Sequence, residues 1–323
     1  EQYLSKLSDG SLVPCFGLTG PNNGSDALGE IDTGVIFKNK NNELSIRVKI
    51  NKRYITLAPV ADLIGLAINV MDPDNLLPSD VKPGVTVALL ERGHPNLRQE
   101  TYHNPLNVGF PNGTLKGTID IPVSSVIGGA ENIGNGWKML MECLAAGRAV
   151  SLPATANGAA KVACLSSLLY AKHRRQFKIP LYKMQGVNQK LLDSVFNTNL
   201  ISSSINFTNA ILDSGATPSV ISAIMKQRTT ELGRTVINDS MDIMAGSAIC
   251  LGGNNVLEKF YKSIPVGITV EGSNTLTKSL IIFGQGLNKS HPYIFNLFNA
   301  LNDNDIDKFR VNVNKYIKMT ISN

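Results

Sequence analysis

The sequence predicts an α+β protein in which an antiparallel β-barrel or sandwich is followed by an antiparallel helical bundle. Residues 12–122 contain short apolar runs that are separated by turn sequences, as in a β domain. Residues after Gly136 keep a helical period over long stretches. Because the pattern changes near residue 128, we expect three parts: a β domain at 1–127, a helical bundle at 128–286 and the start of an additional module at 287–323.

Strand signals dominate the first part. Residues 44–50 alternate between apolar and polar side chains, which is the period of a half-buried strand. Further strand-like runs lie at 35–37, 66–71 and 85–90, with turn sequences such as Asp72-Pro73-Asp74 between them. Several short strands with this punctuation predict a barrel or a sandwich.

Helical signals dominate the second part. Residues 137–175 predict a long helix with a kink near Pro153, and residues 187–213 predict a second helix that Gly215 closes. Thr217 and Pro218 fit the N-cap and first position of a third helix, which runs to about Ala245. A further helix is predicted at 275–283. Long helices with short connections favour a bundle, whereas residues after 286 show no clear pattern until Phe309.

Composition bounds the class of protein. The chain has 323 residues, of which 43% are hydrophobic and 17% charged, so it is long enough for two globular domains. A net charge of +6 suits an anionic ligand such as a CoA or nucleotide phosphate, although many proteins reach this charge without such a partner. Since no run of five or more Lys or Arg occurs, nucleic acid is not predicted as a partner.

Metal sites and membrane spans are also not predicted. Four scattered cysteines lack metal-ligand spacing, and three of them have apolar or small neighbours, which favours a reducing intracellular compartment. The longest apolar stretch, 55–71, is too short and too polar for a transmembrane helix.

Residues 18–26, Leu-Thr-Gly-Pro-Asn-Asn-Gly-Ser-Asp, form the first motif with chemical potential. Gly20 and Gly24 allow backbone N–H groups to approach a phosphate or a flavin edge, and Thr19 and Ser25 add hydroxyl groups. An ordinary Asx-rich turn is the alternative interpretation.

Two further motifs fit a planar, phosphate-bearing ligand. On a strand, Tyr54 and Thr56 share one face, so that one side chain can stack on a ring while the other bonds its edge. The alternative is a core aromatic beside a surface threonine. Arg174 and Arg175 follow the long helix and could grip a pyrophosphate or could complement the helix C-terminus.

The fourth motif, residues 270–274, centres on Glu271, which follows apolar residues and precedes a glycine. Burial among apolar groups would raise its pKa and make it a useful general base. A glutamate that is merely favoured by the dipole at a helix start is the alternative.

The order and spacing of five motifs resemble the acyl-CoA dehydrogenase family. Residues 14–27 resemble its flavin loop, C-x-x-T-E-P-x-x-G-S-D; residues 54–56 resemble its W-I-T strand; residues 142–148 resemble the start of its long helix. Residues 174–177 resemble its R-x-x-F, and residues 270–273 its catalytic E-G-[TS]. The resemblance covers roughly residues 1–293, and residues 51–60 and 267–286 look like the large bacterial enzymes of fatty-acid β-oxidation that carry an extra C-terminal domain.

The resemblance implies FAD as cofactor, bound between the β domain and the helical domain, and Glu271 as the catalytic base. The residues that it implies for FAD are Leu18, Thr19, Ser25, Tyr54, Thr56, Arg174, Phe177, Gly246 and Ser273. Those implied for the acyl-CoA substrate are Ser25, Arg148 and Gly272. No metal ligand is implied.

The implied reaction is α,β-dehydrogenation of a fatty acyl-CoA to a trans-2-enoyl-CoA, with electrons passing to an electron-transferring flavoprotein. A homo-oligomer, dimer or tetramer, in the cytoplasm is implied, with peripheral attachment to the inner membrane as an alternative location. Gly20 and Tyr54 depart from the family's usual Glu and Trp. The family's N-terminal helical domain has no counterpart here, so a truncated chain is expected. An inactive oligomerisation or complementation module, and an acyl-CoA oxidase, are the alternative functions.

Overall fold

The computed structural model describes residues 2–216 and 218–322, with their side chains except at Glu100, Ala145, Ala146, Ser219 and Lys289. It divides into two compact units, Glu1–Leu144 and Ala145–Asn323. The boundaries expected at 127/128 and 286/287 remain predictions. Within the described residues, no helix is both long enough and apolar enough to cross a membrane.

The first unit is built on one sheet. A short helix, α1 (Leu4–Ser8), precedes the strands β1 (Pro14–Gly17), β2 (Thr33–Lys38), β3 (Leu44–Thr56), β4 (Leu63–Met71), β5 (Val85–Glu91), β6 (Arg98–His103) and β7 (Asn112–Pro122). The strand order is β1-β4-β2-β3-β7-β6, and β5 pairs with β4. Single 3-10 turns lie at Pro105–Asn107, Val123–Ser125 and Ala130–Asn132.

The sheet is mixed, whereas the sequence predicted a wholly antiparallel arrangement. Both β1 and β2 run parallel to β4, opposite its first and last residues respectively. The remaining pairs are antiparallel. The loop between β1 and β2 therefore carries the chain onward in the same direction. Its Gly-, Pro- and Asn-rich sequence looks the same as that of a loop that reverses the chain, which is why sequence reasoning missed this pairing.

The strand period that the sequence shows is the period of burial. Ile46, Val48 and Ile50 of β3 are buried, while Arg47 and Lys49 between them are exposed. Burying such a side chain contributes about 1.5–3 kcal/mol each. The other fully buried members of this core include Ile36, Ile64, Leu66, Ile68, Leu115 and Ile121.

The second unit is helical. The helices are α2 (Gly136–His173), which begins within the first unit, α3 (Gln185–Asp213), α4 (Ser219–Met244), α5 (Gly246–Ile249), α6 (Glu258–Thr269), α7 (Asn274–Leu276), α8 (Gly286–Ser290), α9 (Ile294–Asn302) and α10 (Ile306–Ser322). A π-helical segment, Thr277–Gln285, joins α7 to α8. After α2 come a hairpin of β8 (Arg175–Gln176) and β9 (Ile179–Pro180) and a 3-10 turn at Leu181–Lys183. Helix α4 packs against α3, α6 and the π-helical segment.

The long helices lie within two residues of their predicted bounds. Gly215 ends the turn after α3 with φ +82°, and its N–H donates to Leu212 O. Pro218 occupies the N-cap of α4 rather than its first helical position, and Thr217, the predicted N-cap, lies outside the described residues.

Sequence reasoning missed helix α6, the short helices α1, α5 and α8, and helices α9 and α10. Helix α6 contains Pro265 at an interior position, where proline normally breaks a helix. Ile264 of α6 is nevertheless buried in the core of the unit, so packing overrides the local signal. Helix α9 lies in the region before Phe309 that was judged to have no pattern, and α10 begins there at Ile306, so their bounds correct that prediction.

Candidate functional site

Glu271 lies in a tight turn between α6 and α7. Its φ is +54° and that of Gly272 is +81°, so two successive residues adopt left-handed conformations. For a residue with a Cβ this conformation costs about 1–2 kcal/mol, and such strain is a pointer to function. The Ser273 side chain caps α7 by accepting a hydrogen bond from the Leu276 N–H at 3.3 Å. Because Ser273 is the cap, Glu271 is not the helix-start glutamate of the alternative interpretation.

The Glu271 carboxyl group is desolvated. Its Oε2 atom is buried and has no hydrogen-bond partner among the described residues. A Cβ on Gly147 of α2 would lie 3.2 Å from Oε1, so the absence of a side chain there makes room for the carboxylate. Desolvation raises the pKa of Glu271, and the positive charges of Arg148 and then Lys226 oppose that rise.

Arg148 lies beside this carboxylate on α2 and is partly buried. Burial lowers its pKa, and the charge of Glu271 raises it. Its Nε atom is buried without a hydrogen-bond partner in the described part of the chain. A buried polar atom without a partner costs about 1–3 kcal/mol. The site thus keeps an acceptor on Glu271 and a donor on Arg148 that the described residues do not satisfy.

Lys226 of α4 is fully buried, and its side chain contacts the turn that carries Glu271. Its Nζ donates to Gly272 O at 2.7 Å, to Asn274 Oδ1 at 2.8 Å and to Ile268 O at 3.4 Å. Desolvation lowers its pKa to about 8, and the charge of Glu271 opposes this effect.

Sequence reasoning missed both Lys226 and Asn274. One signal was present: Lys226 lies on a face of α4 that is otherwise made of small residues at helical spacing, namely Ser222, Thr229, Thr230 and Gly233, all of them buried. A lysine within such a face has to find partners inside the protein.

In the first unit, the loop after β1 is fixed to β3. Leu18 O accepts hydrogen bonds from Lys52 Nζ at 3.2 Å and from Asn23 Nδ2 at 3.0 Å. Thr19 O accepts from the Arg53 N–H at 2.9 Å. A Cβ on Gly20 would lie 2.7 Å from Asn23 Oδ1 and 3.1 Å from Asn51 O, so a side chain there would force Asn23 to shift. Ser25 lies in the exposed part of the same loop.

Lys52, a third residue that sequence reasoning missed, is fully buried in β3. Its Nζ lies 3.2 Å from Asp32 Oδ2, which also accepts from the Asn51 N–H at 3.1 Å. Desolvation lowers the pKa of Lys52, and the charge of Asp32 opposes this. The alternation of Ile46, Val48 and Ile50 continues to Lys52, so the strand period could have predicted an inward lysine with a partner.

Tyr54 lies at an irregularity of β3. The register against β7 shifts between Lys52 and Ile55, and Tyr54 has φ +61°. The strict alternation that placed Tyr54 and Thr56 on one face therefore does not hold here. The Tyr54 side chain is 61% exposed, with its ring 5.3 Å from that of His103, so it is not a core aromatic. Thr56 is exposed and lines a mainly apolar cavity of about 540 Å³ together with Phe16, Leu57 and Leu89.

The remaining predicted residues lie in other elements of the second unit. Arg174 is exposed at the end of α2, and Phe177 is 90% exposed at the tip of the β8–β9 hairpin. Phe177 and Lys178 both have positive φ, which is the conformation of a two-residue hairpin turn. Gly246 is the exposed first residue of α5. The contacts described above bring Arg148 close to the turn of Glu271, Gly272 and Ser273. They do not include Arg174, Phe177 or Gly246.

Comparison with known proteins identifies a domain family and a shared fold. Residues 134–283 match the family "Acyl-CoA dehydrogenase, C-terminal domain". Over 251 residues the chain is 27% identical to "Acyl-CoA dehydrogenase, short-chain specific" of Megasphaera elsdenii, covering 76% of this chain and 61% of that protein. Over 102 residues it is 38% identical to "Protein HemX" of Proteus mirabilis, covering 31% of this chain and 60% of that protein. The chain thus spans about three fifths of the length of these two relatives.

Solved structures share the fold. The structure described as "PigA with FAD and proline" superposes with a TM-score of 0.74 at 22% identity, covering 89% of this chain and 71% of that one. The matched family region contains Arg148, Lys226 and Glu271. The structure of the acyl-CoA dehydrogenase from Geobacillus kaustophilus has a TM-score of 0.76 at 23% identity, covering 88% of this chain and 71% of that one. Residues 134–283 therefore belong to the acyl-CoA dehydrogenase C-terminal domain family, and the chain has the acyl-CoA dehydrogenase fold.

Proposed function

We propose that the chain carries out the α,β-dehydrogenation of a fatty acyl-CoA, with Glu271 as the base that removes the α-proton of the thioester. One observation carries this proposal: the matched domain holds a desolvated carboxylate, with an unsatisfied Oε2 atom, in a strained left-handed turn. Strained and desolvated carboxylates are concentrated at catalytic sites.

The electrostatics of the turn suit a base. A general base works best when its pKa lies near the operating pH, and burial moves the pKa of Glu271 upward in that direction. The positive charges of Arg148 and Lys226 limit this rise in pKa, and the carboxylate is still more basic than an exposed glutamate. Oε2 is the atom that we assign as proton acceptor, because no donor within the described residues competes for it.

Polar groups around the base would stabilise the substrate. The α-proton of a thioester becomes more acidic when donors stabilise the negative charge that develops on the carbonyl oxygen. We assign this role to the backbone N–H of Glu271. Arg148 Nε is a buried donor without a described partner and suits an oxygen of the acyl-CoA.

FAD is the cofactor that we propose, and the described residues fit it. The Leu18–Thr19 loop is fixed to β3 and is closely packed at Gly20, so its backbone is rigid enough to hold a ligand edge. The Phe177 ring is 90% exposed in a strained turn, which suits an aromatic contact with a planar group. When bound, FAD would accept the β-hydride. The residues proposed to hold it are Leu18, Thr19, Ser25, Tyr54, Thr56, Arg174, Phe177, Gly246 and Ser273.

The physiological setting is part of the proposal. We infer a homo-oligomer acting in the cytoplasm in fatty-acid β-oxidation, with an electron-transferring flavoprotein as the electron acceptor. The curated relative from Megasphaera elsdenii is described as short-chain specific, so butyryl-CoA is the first substrate to test, and octanoyl-CoA is a longer comparison.

Exchange of the α-proton of butyryl-CoA in D₂O, followed by NMR, tests the role of Glu271 in the FAD-reconstituted protein. Glu271→Gln should lower the exchange rate about 100-fold or more, because a positioned base contributes about 10²–10⁴-fold. Glu258→Gln is the matched control, since Glu258 pairs with Lys262 on α6 outside the turn. Exchange retained in Glu271→Gln, or a chain that cannot be reconstituted with FAD, contradicts the proposal.

A further inference from the structure

We propose that Lys226 is the positioning residue of the base: its ammonium group holds the turn that carries Glu271 and thereby aims the carboxylate. The inference rests on the proposed function only in naming Glu271 as the base. Lys226 makes its three hydrogen bonds to the turn itself and to the helices on both sides of it.

The three acceptors bracket Glu271 in the chain. Ile268 O belongs to the last turn of α6, Gly272 O follows the base directly, and Asn274 Oδ1 is on the first residue of α7. An ammonium group has three N–H donors and no acceptor, which matches this set. One buried side chain therefore connects the end of one helix, the turn and the start of the next helix.

A second layer orients the third acceptor. Asn274 is buried, and its Nδ2 donates to Thr230 Oγ1 and to Glu231 Oε1, both at 3.0 Å. These two bonds determine which end of the amide faces Lys226. Thr230 and Glu231 are on α4 together with Lys226, so the turn is attached to α4 through both Lys226 and Asn274.

The charge of Lys226 adds to its geometric role. A cation is favourable next to the carbonyl groups at the end of α6, where the helix leaves acceptors without internal partners. The charged groups that act on Lys226 are Glu271, Arg148 and Glu231. Loss of the lysine charge would leave Arg148 as the cation that opposes the desolvation of Glu271.

Hydrogen exchange of the turn, measured in the full chain, tests the positioning role. In Lys226→Met, the amides of Val270 and Thr277, which donate to Val266 O and Ser273 O, should exchange about fivefold faster or more. Lys190→Met is the matched control: Lys190 lies on α3 and pairs with Asp239 and Asp242, so exchange in the turn should stay at the wild-type rate. Unchanged exchange in Lys226→Met overturns the inference.

The pKa of the Glu271 carboxyl group gives a second readout that a merely structural role would not change. It can be followed by ¹³C NMR, with Glu271→Gln to assign the signal. Lys226→Met should raise this pKa, because one of two opposing cations is lost. Asn274→Ala keeps the ammonium group and removes one acceptor, so it should speed exchange without raising the pKa.

Asn274→Ala also keeps the inference testable if Lys226→Met does not fold: wild-type exchange in Asn274→Ala then contradicts it. The two proposals fail separately. If α-proton exchange is retained in Glu271→Gln, the assignment of Glu271 as the base is wrong, but the positioning of the turn by Lys226 is not contradicted. Unchanged turn exchange in the Lys226 and Asn274 variants removes the positioning role, whatever Glu271 does.

Discussion

Among the described residues, two lysines are fully buried, one in each unit, and each donates to the backbone of a segment that we assign to chemistry. Lys52 of the β unit holds Leu18 O, and Lys226 of the helical unit holds Gly272 O. They differ in how their charge is balanced. Lys52 has Asp32 at 3.2 Å, whereas the hydrogen bonds of Lys226 in the described chain go to carbonyl and amide oxygens.

This difference separates a structural cation from one that influences chemistry. The charge of Lys52 is largely neutralised by its ion pair, so little of it acts on neighbouring groups. Neutral oxygens leave the charge of Lys226 available to act on Glu271, at the cost of a pKa lowered to about 8. Equal burial therefore supports two different roles, and the direct partners decide which one applies.

The largest effect is expected for Lys52→Met. Removal of the ammonium leaves the Asp32 carboxylate, whose side chain is only 14% exposed, without its partner. Breaking such a pair from one side costs about 3–5 kcal/mol. Urea unfolding followed by the fluorescence of Trp137, the single tryptophan, reports on the unit that contains this pair.

The double variant Lys52→Met/Asp32→Asn shows whether the cost comes from the orphaned charge. It should be more stable than Lys52→Met alone, because no unpaired carboxylate remains. If the double variant is less stable than the single one, Asp32 is held mainly by the Asn51 N–H, and the contrast between the two lysines loses its basis.

The second prediction concerns the pH dependence of Lys226. Its pKa is about 8 in the folded chain against an ordinary 10.5. Between these values the unfolded chain binds the proton and the folded chain does not, so stability rises with pH. The free energy of unfolding of the wild type, relative to Lys226→Met, should therefore increase by up to ~3 kcal/mol between pH 7 and 10.5. Urea unfolding followed by circular dichroism at several pH values measures this.

Lys52→Met provides the comparison at each pH. Desolvation also lowers the pKa of Lys52, but Asp32 opposes it directly, so the change with pH should have the same sign and a smaller size. If the free energy of unfolding changes equally with pH for the two lysines, Asp32 does not reduce the pKa shift of Lys52 relative to that of Lys226.

The β unit and the helical unit also differ in how far sequence reasoning reached. Period-two alternation predicted β3 and its buried residues Ile46, Val48 and Ile50, because burial in that strand follows the same period. The parallel pairing of β1 and β2 with β4 depends on where a loop takes the chain, and local sequence does not encode that. Helix α6 was missed for a similar reason: the packing of Ile264 overrides the local signal of Pro265.

For the candidate site, the motifs pointed to Glu271 but not to what holds it. Burial was predicted to raise its pKa, and the structure has both the burial and the direction of the shift. Lys226 lies 45 positions earlier in the chain, and its bonds form only when α4 packs beneath the turn. Resemblance to a family identifies residues such as Glu271 that belong to a sequence motif. A residue that positions them, such as Lys226, is identified only from its contacts in the folded structure.

The third prediction isolates backbone strain in the turn of Glu271. An alanine Cβ at Gly272 would meet Leu276 Cδ2 at 3.5 Å and Thr277 Oγ1 at 3.6 Å, which are ordinary contacts, so its cost comes from φ +81°. We expect Gly272→Ala to lose about 1–2 kcal/mol in urea unfolding. The matched control is Gly24→Ala in the β unit, where φ is not positive and the Cβ meets nothing within 4 Å. Equal stability of the two variants would show that position 272 does not require a left-handed backbone.

The smallest effect is expected for Lys190→Met, which tests whether burial rather than the number of carboxylate partners decides the cost. Lys190 Nζ lies 3.0 Å from Asp239 and 2.6 Å from Asp242, yet its side chain is 41% exposed. Water screens exposed pairs, so unfolding should change by less than ~1 kcal/mol. If Lys190→Met instead loses as much free energy of unfolding as Lys52→Met, the number of carboxylate partners matters more than burial. Lys226→Met, which removes a lysine with neutral partners, would then have to cost less than either of the other two variants.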